Sequence, residues 1–223
     1  MAMSDLANLS DWMIVFDLDD TLYQEDDYSQ SGVAAVAREL ESLYGMDLTE
    51  QLMLVREERG DVWGKACELL DLSTTVKESM LWMYRLHHPN IELESEVLSV
   101  VHKIASSAKQ LVILTDGRSA TQRMKLSALD LLGYPLYISE EYESNKPEEK
   151  RFKQIMKDYV ADNYVYIADN PVKDFIAPND LGWRTIGVRD VGRNIHQQNI
   201  DNLSDKHQPD FWVDKVAEAV ECL

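Results

Sequence analysis

Basic residues are scarce in this chain of 223 residues. Lysine and arginine number 22 against 40 aspartates and glutamates, so the formal net charge is −18. A field of this sign repels polyanions, so a nucleic acid polymer is not an expected partner. Cysteine is also rare, and neither Cys67 nor Cys222 has a cysteine or histidine at metal-ligand spacing. Neither a disulfide framework nor a zinc site is therefore expected.

Long apolar runs are missing as well. No basic segment near the N-terminus is followed by an apolar stretch, and the longest apolar run there is Trp12–Phe16. A helix needs about 20 apolar residues to cross a bilayer, so this run is far too short. We therefore expect a cytoplasmic protein without membrane contact. The chain also lacks repeats, low-complexity tracts and Gly/Ser linkers.

Short apolar runs alternate with helical patterns along most of the chain. Five runs have the composition of strands buried on both faces: Trp12–Phe16, Leu111–Leu114, Leu136–Ser139, Tyr164–Ala168 and Thr185–Val188. The helical patterns between them are Glu96–Lys109, Ser119–Leu132 before Gly133, and a helix that Pro147 opens, whose apolar face is Phe152, Ile155, Met156 and Tyr159. This alternation predicts an α/β fold with a doubly wound, parallel, Rossmann-like sheet.

One interval is too long for this scheme. Roughly 90 residues separate the first two predicted strands, far more than a βαβ crossover needs. Helical spacing recurs there in Ser29–Tyr44, Thr49–Arg59, Asp61–Leu70 and Thr75–Leu86, the last with a Thr75/Glu78 capping box. We therefore predict a core domain of residues 1–24 and 90–223, with residues 25–89 inserted as a helical bundle.

Polar side chains follow four of the predicted strands. The first strand runs into Asp17-Leu18-Asp19-Asp20-Thr21, the second into Thr115-Asp116-Gly117 and the fourth into a segment from Asp169 to Asp174, while Lys146 follows the third. In open α/β sheets, ligands bind outside the carboxyl ends of the strands. These four segments are therefore expected to meet in one crevice.

Three carboxylates, of Asp17, Asp19 and Asp169, would share that crevice. Carboxylates so close raise one another's pKa unless a cation neutralises them. Hard oxygen ligands beside a phosphate suit Mg²⁺, which is the expected cofactor. One carboxylate can then attack phosphorus while a neighbour handles the leaving-group proton. Asp174, expected in the first turn of the next helix, could hold a metal-bound water.

A transferring phosphoryl group also needs donors around its oxygens. Thr115 offers a hydroxyl, Asp116 and Gly117 offer backbone N–H groups at a helix start, and Lys146 offers a point charge. Each pattern alone is more often a turn, a helix cap or a solvated side chain. Their joint order at strand ends favours a phosphate site.

In this order, the four segments resemble the motifs of the haloacid dehalogenase superfamily of phosphotransferases. Those motifs are Asp-x-Asp-x-Thr/Val, a Thr or Ser after the second strand, a Lys and an acidic pair. The resemblance implies that Asp17 is the nucleophile and Asp19 the general acid/base. It also implies phosphate contacts from Thr115 and Lys146, and a magnesium site of Asp169, Asp174 and the Asp19 carbonyl.

The insertion at residues 25–89 resembles the helical cap of one subclass, which implies that it closes over the cleft. True dehalogenases have no acidic residue at the position of Asp19, so phosphatase activity is expected instead. The resemblance thus predicts a magnesium-dependent phosphatase that acts through an aspartyl-phosphate. Its substrate would be a small phosphorylated metabolite of the sugar phosphate or nucleoside monophosphate class, and the sequence does not rank these.

Three alternatives stay open at this point. A phosphomutase of the same fold would keep the same residues but return the phosphoryl group to a sugar. A catalytically idle binding or scaffold module would be expected to lose one of the four residues Asp17, Asp19, Lys146 and Asp169, and all four are present. A nucleotide-cofactor domain would need a Gly-x-Gly-x-x-Gly turn after the first strand, where acidic residues stand instead.

Overall fold

The computed structural model of the chain describes residues 9–201 and 203–223. The predicted core segment 1–24 therefore begins outside the described residues. Most of the N-terminal stretch in which we expected no targeting segment also lies outside them. Among the described residues, no helix combines the length and apolar character that crossing a membrane would take.

A parallel sheet of six strands forms the centre of the molecule. Its strands are β1 (Trp12–Phe16), β2 (Gln110–Thr115), β3 (Leu136–Ile138), β4 (Asn163–Ala168), β5 (Arg184–Val188) and β6 (Phe211–Val213). The order across the sheet is β3-β2-β1-β4-β5-β6, and every neighbouring pair is parallel. The five predicted strands are all present, and the α/β fold is confirmed. The sixth, β6, was not predicted as a strand, because three residues are too short a run for alternation to show.

Helices cover both faces of this sheet. On one face, Ile14 and Phe16 of β1 share a core with α5 (Ser95–Ser107) and α6 (Ser119–Ala128). On the other, Met13 and Val15 pack with α8 (Lys150–Asp158) and α9 (Ile176–Asp180), while α7 (Ser139–Tyr142) follows β3 directly. Successive β1 residues are thus buried on opposite faces, which is why the strand is apolar throughout.

The long interval between β1 and β2 is helical, as the spacing predicted. It contains α1 (Glu25–Tyr44), α2 (Thr49–Glu57), α3 (Val62–Leu69) and α4 (Lys77–Leu86), which pack around their own buried apolar cluster. Gly45, at a φ of 70°, ends α1 in the left-handed conformation that glycine adopts at low cost. The division of the chain into a core and an insertion at residues 25–89 remains a prediction.

Some predicted helix boundaries are wrong. The helix that was expected to reach Leu132 ends at Ala128, because Asp130 takes a left-handed φ of 57° well before Gly133. The helix expected from Pro147 begins at Lys150. The Thr75/Glu78 capping box does not form: Ser73 accepts from the Thr75 N–H and begins a 3₁₀ turn at Thr74–Val76 that leads into α4.

Candidate active site

The carboxyl ends of β1, β2 and β4 open into one cleft with a volume of about 210 Å³. The predicted site residues among its walls are Asp17, Asp19, Thr115, Asp116, Lys146 and Asp169. The same cleft is bordered by Asp20, Glu25, Asn170, Lys173 and His196, to which the sequence analysis assigned no role. Parallel strands place their carboxyl ends at one sheet edge, which brings residues far apart in the chain together.

Lys146 is the cation at the buried end of the cleft. Its Nζ lies 2.9 Å from Asp17 Oδ2 and 2.6 Å from Asp174 Oδ1, and it donates to the Tyr166 hydroxyl at 3.1 Å. Burial alone would lower the pKa of Lys146, but Asp17 and Asp174 together raise it well above its ordinary value. The lysine therefore stays charged beside the carboxylate at the end of β1.

The carboxylates of Asp17, Asp169 and Asp174 form a cluster in which one oxygen from each lies within 4.8 Å of the others. Burial, and then the charges of Asp174 and Asp17, raise the pKa of Asp169 to about 9. Burial likewise raises the pKa of Asp17 to about 6, although Lys146 opposes this. With a pKa of about 9, the Asp169 carboxyl group holds its proton at neutral pH unless a cation takes its place.

This donor set fits Mg²⁺. The cluster offers hard carboxylate oxygens, as the ion prefers. Beside it, Asn194 donates through Nδ2 to Asp169 Oδ2 at 3.0 Å, while its buried Oδ1 has no hydrogen-bond partner within residues 9–201 and 203–223. An unpartnered buried oxygen next to the cluster is suited to a metal ion or its hydration shell.

Asp174 differs from the other two members of the cluster. It is fully buried and is not among the cleft walls. Its Oδ2 accepts from the Asn170 N–H at 2.8 Å, and its Oδ1 faces Lys146. The expectation that it lies in the first turn of the next helix is wrong, because α9 begins only at Ile176. Within the cluster, Asp174 thus contacts Lys146 on the side that is away from the cleft.

Asp19 has three donors around its carboxylate. Lys125 Nζ lies 2.7 Å from Oδ1, which also accepts from the Tyr23 hydroxyl, and Gln122 Nε2 donates to Oδ2 at 2.9 Å. Burial alone would raise the pKa of Asp19, but Lys125 and the hydrogen bonds from Tyr23 and Gln122 lower it overall. Asp19 is therefore held as a carboxylate. Gln122 also donates to Thr115 Oγ1 at 2.7 Å and so joins the first two motifs.

The two residues after Thr115 have different surroundings. Asp116 lines the cleft, and its carboxylate accepts from the buried Arg151 and lies 3.7 Å from Lys173 Nζ. Gly117 is exposed and is not among the cleft walls; its N–H donates to Ser139 Oγ at 3.0 Å. The Gly117 N–H therefore already has a hydrogen-bond acceptor within the protein. The helix that follows, α6, begins only at Ser119, so Asp116 and Gly117 precede the helix instead of starting it.

The sequence analysis missed several polar residues that support the site. Arg151 is fully buried and donates to the carbonyls of Thr115 at 2.8 Å and Tyr137 at 3.1 Å. Gln122 and Lys125 are buried on α6 on the same face as Leu126. A signal was present, because polar residues at core-facing helical positions need buried partners. The partners themselves could not be inferred from spacing.

Comparison with known proteins agrees with this geometry. A family model described as haloacid dehalogenase-like hydrolase matches residues 14–188. The glyceraldehyde 3-phosphate phosphatase of Methanocaldococcus jannaschii is 23% identical over 229 residues, which cover 94% of this chain and 96% of that protein.

Two solved structures also share the fold. The HAD-hydrolase YfnB from Bacillus subtilis, bound to magnesium, has a TM-score of 0.63 at 17% identity, with 96% of this chain and 99% of that chain covered. A HAD phosphatase from Thermococcus onnurineus has a TM-score of 0.57 at 18% identity, with 94% and 96% covered.

Proposed function

Because this chain belongs to the haloacid dehalogenase-like hydrolases and is a phosphohydrolase, we propose that it hydrolyses a small phosphomonoester with the help of magnesium. Asp17 would carry the phosphoryl group as an aspartyl-phosphate. The observation that carries this proposal is the position of Asp17 Oδ2, 2.9 Å from Lys146 Nζ in a cleft that Thr115 and Asp169 also line.

The metal site would be formed by the carboxylates of Asp17, Asp169 and Asp174. The main-chain carbonyl of Asp19 would be a further ligand. When bound, Mg²⁺ supplies positive charge that offsets both the carboxylates and the phosphoryl oxygens. The raised pKa values of Asp17 and Asp169, and the unpartnered Asn194 Oδ1, support this assignment.

Asp17 is suited to be the nucleophile. It follows β1 directly, and its N–H donates to the Ile167 carbonyl at 2.9 Å, so its backbone continues the sheet. One carboxylate oxygen forms the new bond to phosphorus while the bond to the leaving oxygen breaks. Water then attacks the aspartyl-phosphate, which releases inorganic phosphate and restores the carboxylate.

Lys146 and Thr115 would hold the phosphoryl group. Lys146 presents a charge that Asp174 keeps in place at 2.6 Å. Thr115 Oγ1 accepts from Gln122 Nε2 at 2.7 Å, which leaves the hydroxyl hydrogen free to be donated to a phosphoryl oxygen. Such fixed donors stabilise the charge that spreads over these oxygens in the transition state.

Asp19 would transfer the protons. Its ionised form accepts the proton of the attacking water in the second half of the reaction. In the first half it must donate a proton to the leaving oxygen. A bound phosphate brings negative charge close to Asp19, which raises the pKa of a neighbouring carboxyl group and favours its protonated form.

Substrate choice would depend on residues 25–89 acting as a cap. Glu25, at the start of α1, lines the cleft, so the insertion reaches the site directly. The substrate class we propose is a sugar phosphate or a nucleoside monophosphate. The name of the archaeal relative, a glyceraldehyde 3-phosphate phosphatase, supports the former. The phosphomutase alternative would use the same residues and differs only in the acceptor of the phosphoryl group.

The test is release of inorganic phosphate by the purified chain from p-nitrophenyl phosphate, glyceraldehyde 3-phosphate, ribose 5-phosphate and AMP. Excess chelator should abolish release, and Mg²⁺ should restore it, whereas Ca²⁺ should substitute poorly because of its larger coordination number. The Asp17→Asn variant is the control for contaminating phosphatases. Full activity in excess chelator would contradict the metal assignment. Isomerised sugar phosphate without phosphate release would identify a mutase.

A further inference from the structure

The loop that follows β5, from Asp190 to Gln198, has a fixed internal structure. The Asp190 carboxylate accepts the backbone N–H groups of Gly192, Arg193 and Asn194 at 2.7, 2.9 and 2.9 Å. Gln198 closes the loop, because its Oε1 accepts from the Asp190 N–H at 2.8 Å. We refer to these nine positions, 190–198, as the β5 loop.

The β5 loop is bound to the carboxylates of the active site. Asn194 Nδ2 donates to Asp169 Oδ2 at 3.0 Å, and Gln198 Nε2 donates to the Asp169 carbonyl at 2.8 Å. The Ile195 N–H donates to Asp20 Oδ2 at 2.8 Å. These hydrogen bonds fix the positions of Asn194, Ile195 and Gln198 relative to the ends of β1 and β4.

The β5 loop is also bound to the helical insertion. Arg193 forms ion pairs with Asp27 and, at 3.6 Å, with Asp26, both in the first turn of α1. Arg59 Nη1 donates to the Ile195 carbonyl at 3.5 Å. The loop thus contacts the sheet residues of the site and the insertion at the same time.

Within the β5 loop, His196 is the residue that lines the cleft. It follows Ile195, whose N–H is bonded to Asp20. Asp17, Thr115 and Lys146 are buried and line the inner part of the cleft. His196 is exposed and therefore lies at the mouth of the cleft. A phosphoryl group held by the buried residues would direct its leaving group outwards. The leaving group would then pass His196.

The cleft walls also limit which polar groups can recognise a leaving group. Glu25, which is partly exposed, offers carboxylate oxygens that accept hydrogen bonds from hydroxyl groups, whereas both oxygens of the buried Asp20 already accept backbone N–H groups. Among the described wall residues, His196 is exposed and Lys173 is partly exposed, and both side chains can donate to an oxygen of the leaving group; the amide of Asn170 is buried. An oxygen-rich leaving group matches this set better than a hydrocarbon one.

We propose that His196 is a specificity-determining residue that donates a hydrogen bond to a hydroxyl or carbonyl oxygen of the leaving group, and so selects polyhydroxylated phosphate esters. This inference rests on the proposed phosphatase function. The bonds from Asn194 and Ile195 to the site carboxylates preorganise the loop, so that little conformational freedom is lost when substrate binds.

The test compares two esters with the same carbon chain, glycerol 3-phosphate and propyl phosphate, in the presence of Mg²⁺. His196→Phe removes the donor but keeps a ring, and His196→Gln keeps an amide donor. His102→Phe, at an exposed position of α5, is the matched control. In His196→Phe, kcat/KM should fall about tenfold to a hundredfold for glycerol 3-phosphate, and much less for propyl phosphate, because a hydrogen bond to substrate discriminates by about this much.

The glutamine variant should recover most of the lost preference for glycerol 3-phosphate, and His102→Phe should match the wild type on both esters. Equal losses on both esters in His196→Phe would overturn the inference, since a merely structural role predicts that pattern. If the wild-type chain releases phosphate neither from these two esters nor from the esters named above as the test of the proposed function, that function fails. Equilibrium binding of the same two esters to the same variants then decides the role of His196 separately.

Discussion

Lys125 Nζ lies 2.7 Å from Asp19 Oδ1, so a buried lysine of α6 holds the carboxylate that stands two residues after Asp17. The same amine lies 3.4 Å from Glu25 Oε1 and 4.3 Å from the centre of the Tyr28 ring. Glu25 and Tyr28 belong to α1. The lysine therefore joins the proposed proton-transfer group to the first helix of the insertion.

Replacement of this lysine should impair proton transfer more than phosphate binding. In Lys125→Met, Asp19 loses the cation that orients it, and kcat for an alkyl phosphate should fall by about tenfold to a hundredfold. The loss should be smaller for p-nitrophenyl phosphate, whose leaving group needs no proton. Steady-state kinetics on both esters measure this. Lys153→Met, on the exposed surface of α8, is the control and should match the wild type. Equal losses on the two esters would mean that Lys125 is only structural.

The two neighbouring aspartates should differ when each is changed to asparagine. Asp17→Asn should abolish both phosphate release and the covalent aspartyl-phosphate, because an amide oxygen is a poor nucleophile. Asp19→Asn should slow hydrolysis of an alkyl phosphate by about 10²–10⁴-fold, with a smaller loss for p-nitrophenyl phosphate. Acid-quench trapping of the phosphorylated chain separates the two variants. Covalent phosphorylation that survives in Asp17→Asn would disprove the assignment.

Arg151 should matter chiefly for stability. It is fully buried and contacts the Asp116 carboxylate and the carbonyls of Thr115 and Tyr137. Arg151→Met leaves a half-buried carboxylate with only the more distant and more exposed Lys173, at 3.7 Å, and the free energy of unfolding should fall by about 3–5 kcal/mol. Urea denaturation measures the change. Arg123→Gln is the control, since Arg123 pairs with Glu141 at the surface, where ion pairs contribute about 0–1 kcal/mol. Losses of similar size in both variants would contradict this account.

Glu25 tests whether the insertion takes part in substrate choice. It lines the cleft from the start of α1, and burial followed by the charge of Asp19 raises its pKa to about 7. Glu25→Gln should change the order of preference within a panel of phosphate esters, because Glu25 lines the cleft that the leaving group would occupy. The measurement is kcat/KM across the panel, with Glu39→Gln, on the outer part of α1, as the control. A uniform change for every ester would assign α1 a structural role only.

The order of the site residues could be predicted because it depends on local pattern. The apolar run Trp12–Phe16 ends at Asp17, and the polar segments after β2 and β4 stand in the same relation to their strands. Parallel strands then bring these ends together whatever the detailed packing. Helix ends were less predictable: Ala128 ends α6 because Asp130, instead of the nearby glycine, takes the left-handed conformation.

The sequence by itself determined five of the six strands, the helical character of the interval between β1 and β2, and the order of the four strand-end segments. Only the tertiary structure decided which polar groups contact the carboxylates: Lys125 is 106 positions from Asp19, and Asn194 is 25 positions from Asp169. No spacing rule connects residues so far apart, because their contact depends on how helices and loops pack against the sheet. The pKa of each carboxylate likewise depends on burial and on these partners, which exist only in the folded chain.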